Sequence, residues 1–168
     1  MTAEQEILSA YGENPNAIYS INEIARRIGK AYPNVHKTVR TLVDKGILKR
    51  HEVGRSHLCS VNLDDNRAVL LLALNHTSKY ESLTEDIKQQ VAKLKARPHD
   101  IILYHETRDE LIIVNQEPAT DSITPQQLHR RLLEDETLYS HHTLIAGYEN
   151  FYSLITTPEI TRRYHPLL

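Results

Sequence analysis

Residues 20–50, SINEIARRIGKAYPNVHKTVRTLVDKGILKR, contain the start and stop signals of two consecutive helices. Ser20 and Glu23 have the spacing of a capping box, in which each side chain bonds the backbone N–H of the other residue. Gly29 is a typical residue for a helix end. Pro33 suits the first turn of a second helix, because the N–H that proline lacks would have no helical partner there. The pattern therefore predicts two helices joined by a tight turn.

A β-hairpin is predicted directly after the second helix. Residues 47–53 and 56–62 have the length and composition of strands, and the pair Gly54-Arg55 between them is suited to a turn. Upstream, residues 3–11 carry an apolar stripe with helical spacing, and residues 17–19 are long enough only for a small strand. The predicted order is helix, short strand, helix, helix and hairpin.

The net charge of −2 over 168 residues conceals an uneven distribution. Residues 26–57 have a local excess of +7, whereas residues 100–168 have a net charge of −6. A concentration of positive charge attracts phosphate backbones, although a solvated basic helix face can have the same composition. The arrangement of helices and hairpin in the basic segment has to decide between these two interpretations.

The stretch from Ser20 to Asn62 resembles the winged helix-turn-helix domains of bacterial and archaeal transcription regulators in the broad MarR/ArsR-like group. The resemblance rests on a positioning helix, a recognition helix, the segment LVDKGIL at 42–48 and a following hairpin, or wing. It implies a sequence-specific regulator of transcription that binds double-stranded DNA. The recognition helix, from Pro33 to Lys45, would lie in the major groove, and the wing would contact the backbone or minor groove.

The resemblance and the polar face of the recognition helix together indicate which side chains would contact DNA. Asn, His, Lys, Thr and Arg can all bond base edges or phosphates. The expected contact residues are Arg26, Arg27, Tyr32, Asn34, His36, Lys37, Arg40, Thr41, Lys49 and Arg55. Among them, Arg26, Arg27 and Lys49 would position the DNA backbone, and Arg55 would act from the wing. The alternative is a protein-interaction or antitoxin-like adaptor that uses the winged helix as a scaffold.

Residues 64–98 predict helices that either link two domains or join two subunits. They include an apolar run at 68–74 and a narrow apolar seam at Leu83, Ile87, Val91 and Leu94. Regulators of the resembled group commonly dimerise through a helix after the wing, so the resemblance implies a homodimer whose symmetry matches two DNA half-sites. Packing of both segments within one subunit is the alternative.

Residues 99–168 predict a small acidic domain with the element order ββαβα. Residues 101–104 and 111–114 are apolar runs of strand length, Thr124-Pro125 begins a helix, and residues 143–146 form a third strand before a final helix. The fold class of the chain is therefore α+β. Its predicted segments are a winged-helix domain over 1–63, a helical linker over 64–98 and this domain over 99–168.

The C-terminal order is also similar to a minimal nucleotidyltransferase domain, on the segments DIILY, ELIIVN and TLIAGYENFYSLI. That family has a Gly-Ser pair after its first strand and paired carboxylates that hold magnesium. Here Tyr104-His105-Glu106 stands in place of Gly-Ser, and of the carboxylates only Glu110 is near the expected position. The segment is therefore either a degenerate, non-catalytic relative or no relative, and it could serve assembly or bind a protein or small-molecule effector. A nucleotidyltransferase-related protein is the second alternative function.

The sequence indicates neither an enzyme nor a metal or cofactor site. Ten histidines raise the question of metal binding, and His51, His57 and Cys59 lie on the two predicted hairpin arms. A metal site would require the alternation of side chains along the strands to place all three on one face of the hairpin. The adjacent His141 and His142 would point to opposite faces of a strand. The chain also lacks nucleophile-elbow, phosphate-loop and dinucleotide-binding motifs.

Features of the whole chain indicate a cytoplasmic protein with no membrane partner. The single cysteine cannot form an internal disulfide, the N-terminus is acidic and polar, and no apolar run reaches the length of a membrane span.

Overall fold

The structure is a computed structural model that describes residues 1–54, 56–94, 97, 100–117 and 120–164. These residues form helices and two three-stranded antiparallel sheets, so the predicted α+β class is confirmed. The chain divides into two compact units, the first from Met1 to Asn75 with residues from Thr161 onward, and the second from His76 to Ile160. Within the described residues, every helix is too short or too polar to cross a bilayer.

Unit 1 contains three helices and a three-stranded sheet before a long fourth helix begins. Its elements are α1 (Ala3–Ser9), β1 (Ile18–Ser20), α2 (Ile21–Ile28), α3 (Tyr32–Asp44), β2 (Leu48–Val53), β3 (Ser56–Val61) and the first part of α4 (Asn66–Ser82). The central strand β3 pairs antiparallel with both β1 and β2. The predicted order of elements is thus found, with α3 starting one residue before Pro33.

The boundaries of α2 and α3 follow the local signals in the sequence. The Glu23 carboxylate accepts the backbone N–H of Ser20 at 2.8 Å, and the Ser20 hydroxyl accepts the N–H of Glu23 at 3.2 Å. Gly29 ends α2 with a φ of +65°, a left-handed conformation that glycine adopts without strain. Pro33 lies in the first turn of α3. These signals fix the turn between the two helices.

Apolar side chains from the helices and the sheet of unit 1 form its core. The buried members include Ile7, Leu8, Tyr11, Ile24, Val35, Val39, Leu42 and Leu48. The Tyr11 hydroxyl donates to the carbonyl oxygen of Cys59 at 2.8 Å, so its polar atom is satisfied inside the core. Because α3 buries its apolar stripe, the opposite side of this helix faces outward.

Unit 2 continues from α4 into a second, antiparallel sheet with helices. Its elements are α5 (Glu85–Lys93), β4 (Ile101–His105), β5 (Glu110–Val114), α6 (Pro125–Glu134), α7 (Glu136–Ser140), β6 (His142–Ala146), α8 (Tyr148–Ile155) and the start of α9 (Pro158–Tyr164). Strand β4 is central and pairs with both β5 and β6. The predicted ββαβα order is present, with the short helix α7 added before the third strand.

Two histidines are buried side by side in unit 2. The rings of His76 and His142 stack with their centroids 5.3 Å apart. His142 Nδ1 donates to the Leu138 carbonyl at 3.0 Å, and His76 Nδ1 accepts the backbone N–H of Leu144 at 3.2 Å. Burial lowers the pKa of His142 to about 4 and that of His76 to about 2, so both imidazoles are neutral at pH 7.

Candidate nucleic-acid interface

The outward side of α3 presents most of the polar residues singled out from the sequence. Among its exposed side chains are Tyr32, Asn34, His36, Lys37, Arg40 and Thr41, and the acidic Asp44 at the end of the helix is exposed as well. Tyr32 and His36 are neighbours, with ring centroids 5.7 Å apart. The Thr41 hydroxyl donates to the Lys37 carbonyl at 3.2 Å, which leaves its oxygen free to accept a further hydrogen bond. The helix thus offers donors and acceptors on one continuous surface.

A cleft of about 400 Å³ lies between α3 and the hairpin formed by β2 and β3. Its lining residues are Ile21, His36, Val39, Arg40, Val43, Asp44, Arg50, His57 and Cys59. The cleft therefore brings the predicted residues His36 and Arg40 together with Arg50 and His57, which the sequence analysis did not assign to DNA. Two arginines and two histidines against one aspartate make its polar lining suited to anions.

Arg50 and His57 contact each other directly across the hairpin. Arg50 Nη2 lies 2.7 Å from Nδ1 and 2.9 Å from Nε2 of His57, and 3.3 Å from the Glu52 carboxylate. The strand register pairs Arg50 with Cys59 and Glu52 with His57. Because side chains alternate along a strand, Arg50 and Glu52 are expected on the same face of the hairpin as the buried Leu48. The sequence therefore contained a signal for the face on which Arg50 lies.

The residues expected to position the DNA backbone are more dispersed. Arg26 and Arg27 are exposed on α2, and the Arg27 guanidinium lies 4.2 Å from the centroid of the Tyr19 ring. Lys49 Nζ pairs with the Asp64 carboxylate at 2.8 Å. As the strand neighbour of Arg50, Lys49 points to the other face of the hairpin, away from the cleft. Arg55 lies outside the described residues.

The hairpin histidines and Cys59 do not come together as a metal site. His51 pairs in register with Leu58 and contacts the Ser60 hydroxyl at 2.7 Å, on the face opposite His57 and Cys59. Burial raises the pKa of the Cys59 thiol, which keeps it protonated. Among the described residues, no group of three or more His, Cys, Asp or Glu side chains is arranged to hold a metal ion.

Unit 2 has a separate polar pocket of about 350 Å³ near the end of β4. Arg108 pairs with Asp135 at 2.7 Å, and Arg131 pairs with Glu110 at 3.1 Å. The hydrogen bond from the Thr137 side chain is the main cause that lowers the pKa of Asp135 to about 2. Glu110, the carboxylate considered for magnesium binding, therefore forms an ion pair with Arg131.

Comparison with protein families matches the N-terminal part of the chain. Residues 4–68 match the family HVO_A0114. The matched segment includes α1 to β3 and all the residues of the cleft, and it covers less than half of the chain. No curated protein and no solved structure matches the chain.

Proposed function

We propose that this chain is a winged helix-turn-helix regulator of transcription that binds double-stranded DNA sequence-specifically. The order α1-β1-α2-α3-β2-β3, with β3 central in the sheet, supports this assignment. In this proposal α3 is the recognition helix and the β2–β3 hairpin is the wing. The observation that carries the proposal is the exposed polar side of α3 beside a cleft lined by Arg40 and Arg50.

The proposed binding mode divides the side chains of α3 by their chemistry. Asn34, in the first turn, reads a base edge, because an amide can donate to and accept from one adenine. Lys37 and Arg40 contribute charge toward phosphates and nearby bases. Arg26 and Arg27 on α2 and Lys49 on β2 hold the DNA backbone. The exposed pair of Lys49 with Asp64 is weak enough to exchange for a phosphate contact.

Alanine substitutions at Asn34 and Lys37 are expected to have different consequences for DNA binding. Lys37→Ala should weaken binding to every duplex, by about 1 kcal/mol, and reduce the salt dependence by about one counterion. Asn34→Ala should cost about 1–3 kcal/mol on the preferred duplex alone, because one base preference is lost. The measurement is fluorescence anisotropy on a duplex selected from random DNA and on its single-base-pair variants.

Lys93→Ala, at an exposed position of α5, is the matched control for loss of a lysine. It should keep the affinity and the base preferences of the parent protein. If Asn34→Ala and Lys37→Ala also keep both properties, α3 is not the recognition helix.

A homodimer is part of the proposal, and α4 offers a surface for it. Leu70 and Leu74 lie one turn apart on this helix and are 62% and 45% exposed. A two-fold contact through the same helix of a second copy would bury these leucines. Such a dimer would present two copies of α3 to two DNA half-sites.

Substituting Leu70→Glu together with Leu74→Glu is expected to produce a folded monomer. Charged side chains on both copies would meet at a two-fold contact, and DNA affinity should fall at least about tenfold because only one half-site is held. Analytical ultracentrifugation measures the oligomeric state, and Gln89→Glu with Ala92→Glu on α5 adds the same charge as a control. A parent protein that sediments as a monomer would contradict the dimer.

The second candidate function is a protein-interaction adaptor in which the N-terminal domain is a scaffold. The net charge of −6 in residues 100–168 favours a basic partner for this region. In the regulator that we propose, the same region serves assembly or binds a protein or small-molecule effector. Salt-dependent binding to duplex DNA separates the two functions, because the adaptor does not require it.

A further inference from the structure

The contact between Arg50 and His57 depends on the protonation state of the histidine. A guanidinium has only hydrogen-bond donors, so the ring nitrogen that it bonds has to accept. Arg50 Nε also donates to His57 Nδ1, at 3.2 Å. An imidazolium has no accepting nitrogen, so His57 is neutral while it is paired with Arg50.

We propose that the Arg50–His57 pair opens to bind one backbone phosphate of DNA and that His57 takes up one proton in this step. The proposal rests on the DNA-binding function and names the group that the cleft recognises. The hydrogen bond from Arg50 to His57 breaks, and solvent supplies the proton. Both side chains then donate N–H groups to phosphate oxygens, as charge-assisted hydrogen bonds. No covalent bond between heavy atoms changes.

The position of the pair suits a phosphate held beside the recognition helix. Arg50 and His57 line the cleft from the hairpin side, and His36 and Arg40 line it from α3. Both members of the pair are about half exposed, so a phosphate reaches them without rearrangement of the backbone. A cleft of about 400 Å³ is large enough to admit one phosphodiester group.

Charged groups of both signs surround His57 in the free protein. Glu52 lies 3.8 Å from His57 Nδ1 and favours the imidazolium, while Arg50 opposes it. From α3, Asp44 favours the charged form and Arg40 opposes it, and His36 and the protonated thiol of Cys59 also line the cleft. An incoming phosphate adds negative charge next to the ring and shifts this balance toward the imidazolium.

Proton uptake on binding predicts a defined dependence of DNA affinity on pH. If one proton is bound, the affinity should fall as the pH rises, by up to about tenfold per pH unit. Where the free histidine already carries the proton, the affinity should level off. The expected direction is therefore tighter binding at pH 6 than at pH 8.

The test measures the dissociation constant of the full chain for a duplex selected from random DNA, about 20 base pairs long, a length that spans two half-sites. Anisotropy is recorded from pH 6 to 8 at constant ionic strength. His57→Gln should abolish the pH dependence, whereas His51→Gln, on the opposite face of the hairpin, should keep it. Calorimetry in two buffers of different ionisation enthalpy should show uptake of about one proton by the parent and none by His57→Gln.

The possible outcomes distinguish this inference from the proposed function. Binding with no pH dependence, or a dependence that His57→Gln keeps and His36→Gln abolishes, would overturn the inference and leave DNA binding in place. Failure to bind the duplex at every pH would overturn both. A melting temperature of His57→Gln within about 2 °C of the parent excludes loss of fold as the cause of its effect.

Discussion

Reversing the charges of Arg40 and Arg50 together is expected to lower the affinity for duplex DNA at least about 100-fold. Arg40 is exposed on α3, and Arg50 faces it from β2 in the same cleft. Each glutamate removes one contact and places a negative charge where the proposed phosphate lies. Repulsion is added to the loss of attraction, so the effect exceeds that of two alanine substitutions.

The control for this prediction is Arg130→Glu with Arg162→Glu, which changes the net charge equally at exposed positions outside the cleft. Both double variants are titrated with the same duplex at the same salt concentration. The control is expected to stay within about threefold of the parent, since neither arginine lines the cleft and exposed charges outside a contact are screened. Equal losses in the two double variants would show that total charge, rather than the cleft, determines binding.

Arg40→Glu alone keeps the hairpin intact and should still lower the affinity for the duplex about tenfold or more.

Substituting Gly147→Ala is expected to destabilise unit 2 by about 3–5 kcal/mol. Gly147 has a φ of +74°, in the left-handed region that glycine favours. A Cβ atom at this position would clash with the Asp100 carbonyl oxygen and approach Ile101 Cα at 2.9 Å. Both neighbours are backbone atoms at the start of β4, so side-chain rotation cannot relieve the overlap.

Gly29→Ala separates the cost of the left-handed backbone conformation from the cost of the clash. Gly29 has a φ of +65°, and a Cβ atom added there would have no neighbour within 4 Å. This control should lose only about 1 kcal/mol, the cost of the backbone conformation. Urea denaturation followed by circular dichroism gives the free energy of unfolding of both variants. A loss at Gly147→Ala no larger than that at Gly29→Ala would contradict the close approach of β4 and the turn before α8.

The sequence predicted the elements of unit 1 well where the signals are local. The capping box of Ser20 and Glu23 and the stop at Gly29 act within one or two helical turns. The hairpin was equally visible, because two strand-like runs flank Gly54. Such features depend on neighbouring residues alone, so one sequence suffices to find them.

Features that depend on pairing between distant residues were harder to predict. The cleft forms only when α3 packs beside the hairpin, so Arg50 and His57 were missed as companions of His36 and Arg40. Strand alternation gave a signal for Arg50, but register was needed to place His57 against it. The face of the hairpin on which Lys49 lies also followed from its strand position and not from its charge, so Lys49 remains a proposed backbone contact outside the cleft.

The predicted helical segment 64–98 spans the division between the two compact units. Its helices are predicted from the apolar run at 68–74 and the apolar seam at Leu83, Ile87, Val91 and Leu94. In the structure the division between the compact units falls inside α4, between Asn75 and His76. His76, inside α4, stacks against His142 and accepts the backbone N–H of Leu144, and these contacts between distant residues join this part of α4 to unit 2.

The most direct test of DNA binding is the affinity of the full chain for a duplex selected from random DNA, measured against salt concentration. The proposal predicts specific binding that weakens at least about 100-fold between about 50 and 200 mM salt, as several phosphate contacts release counterions. Arg40→Glu should reduce the slope of this dependence. Recovery of no preferred sequence, together with an affinity that is absent or independent of salt, would contradict the assignment of this protein as a DNA-binding regulator.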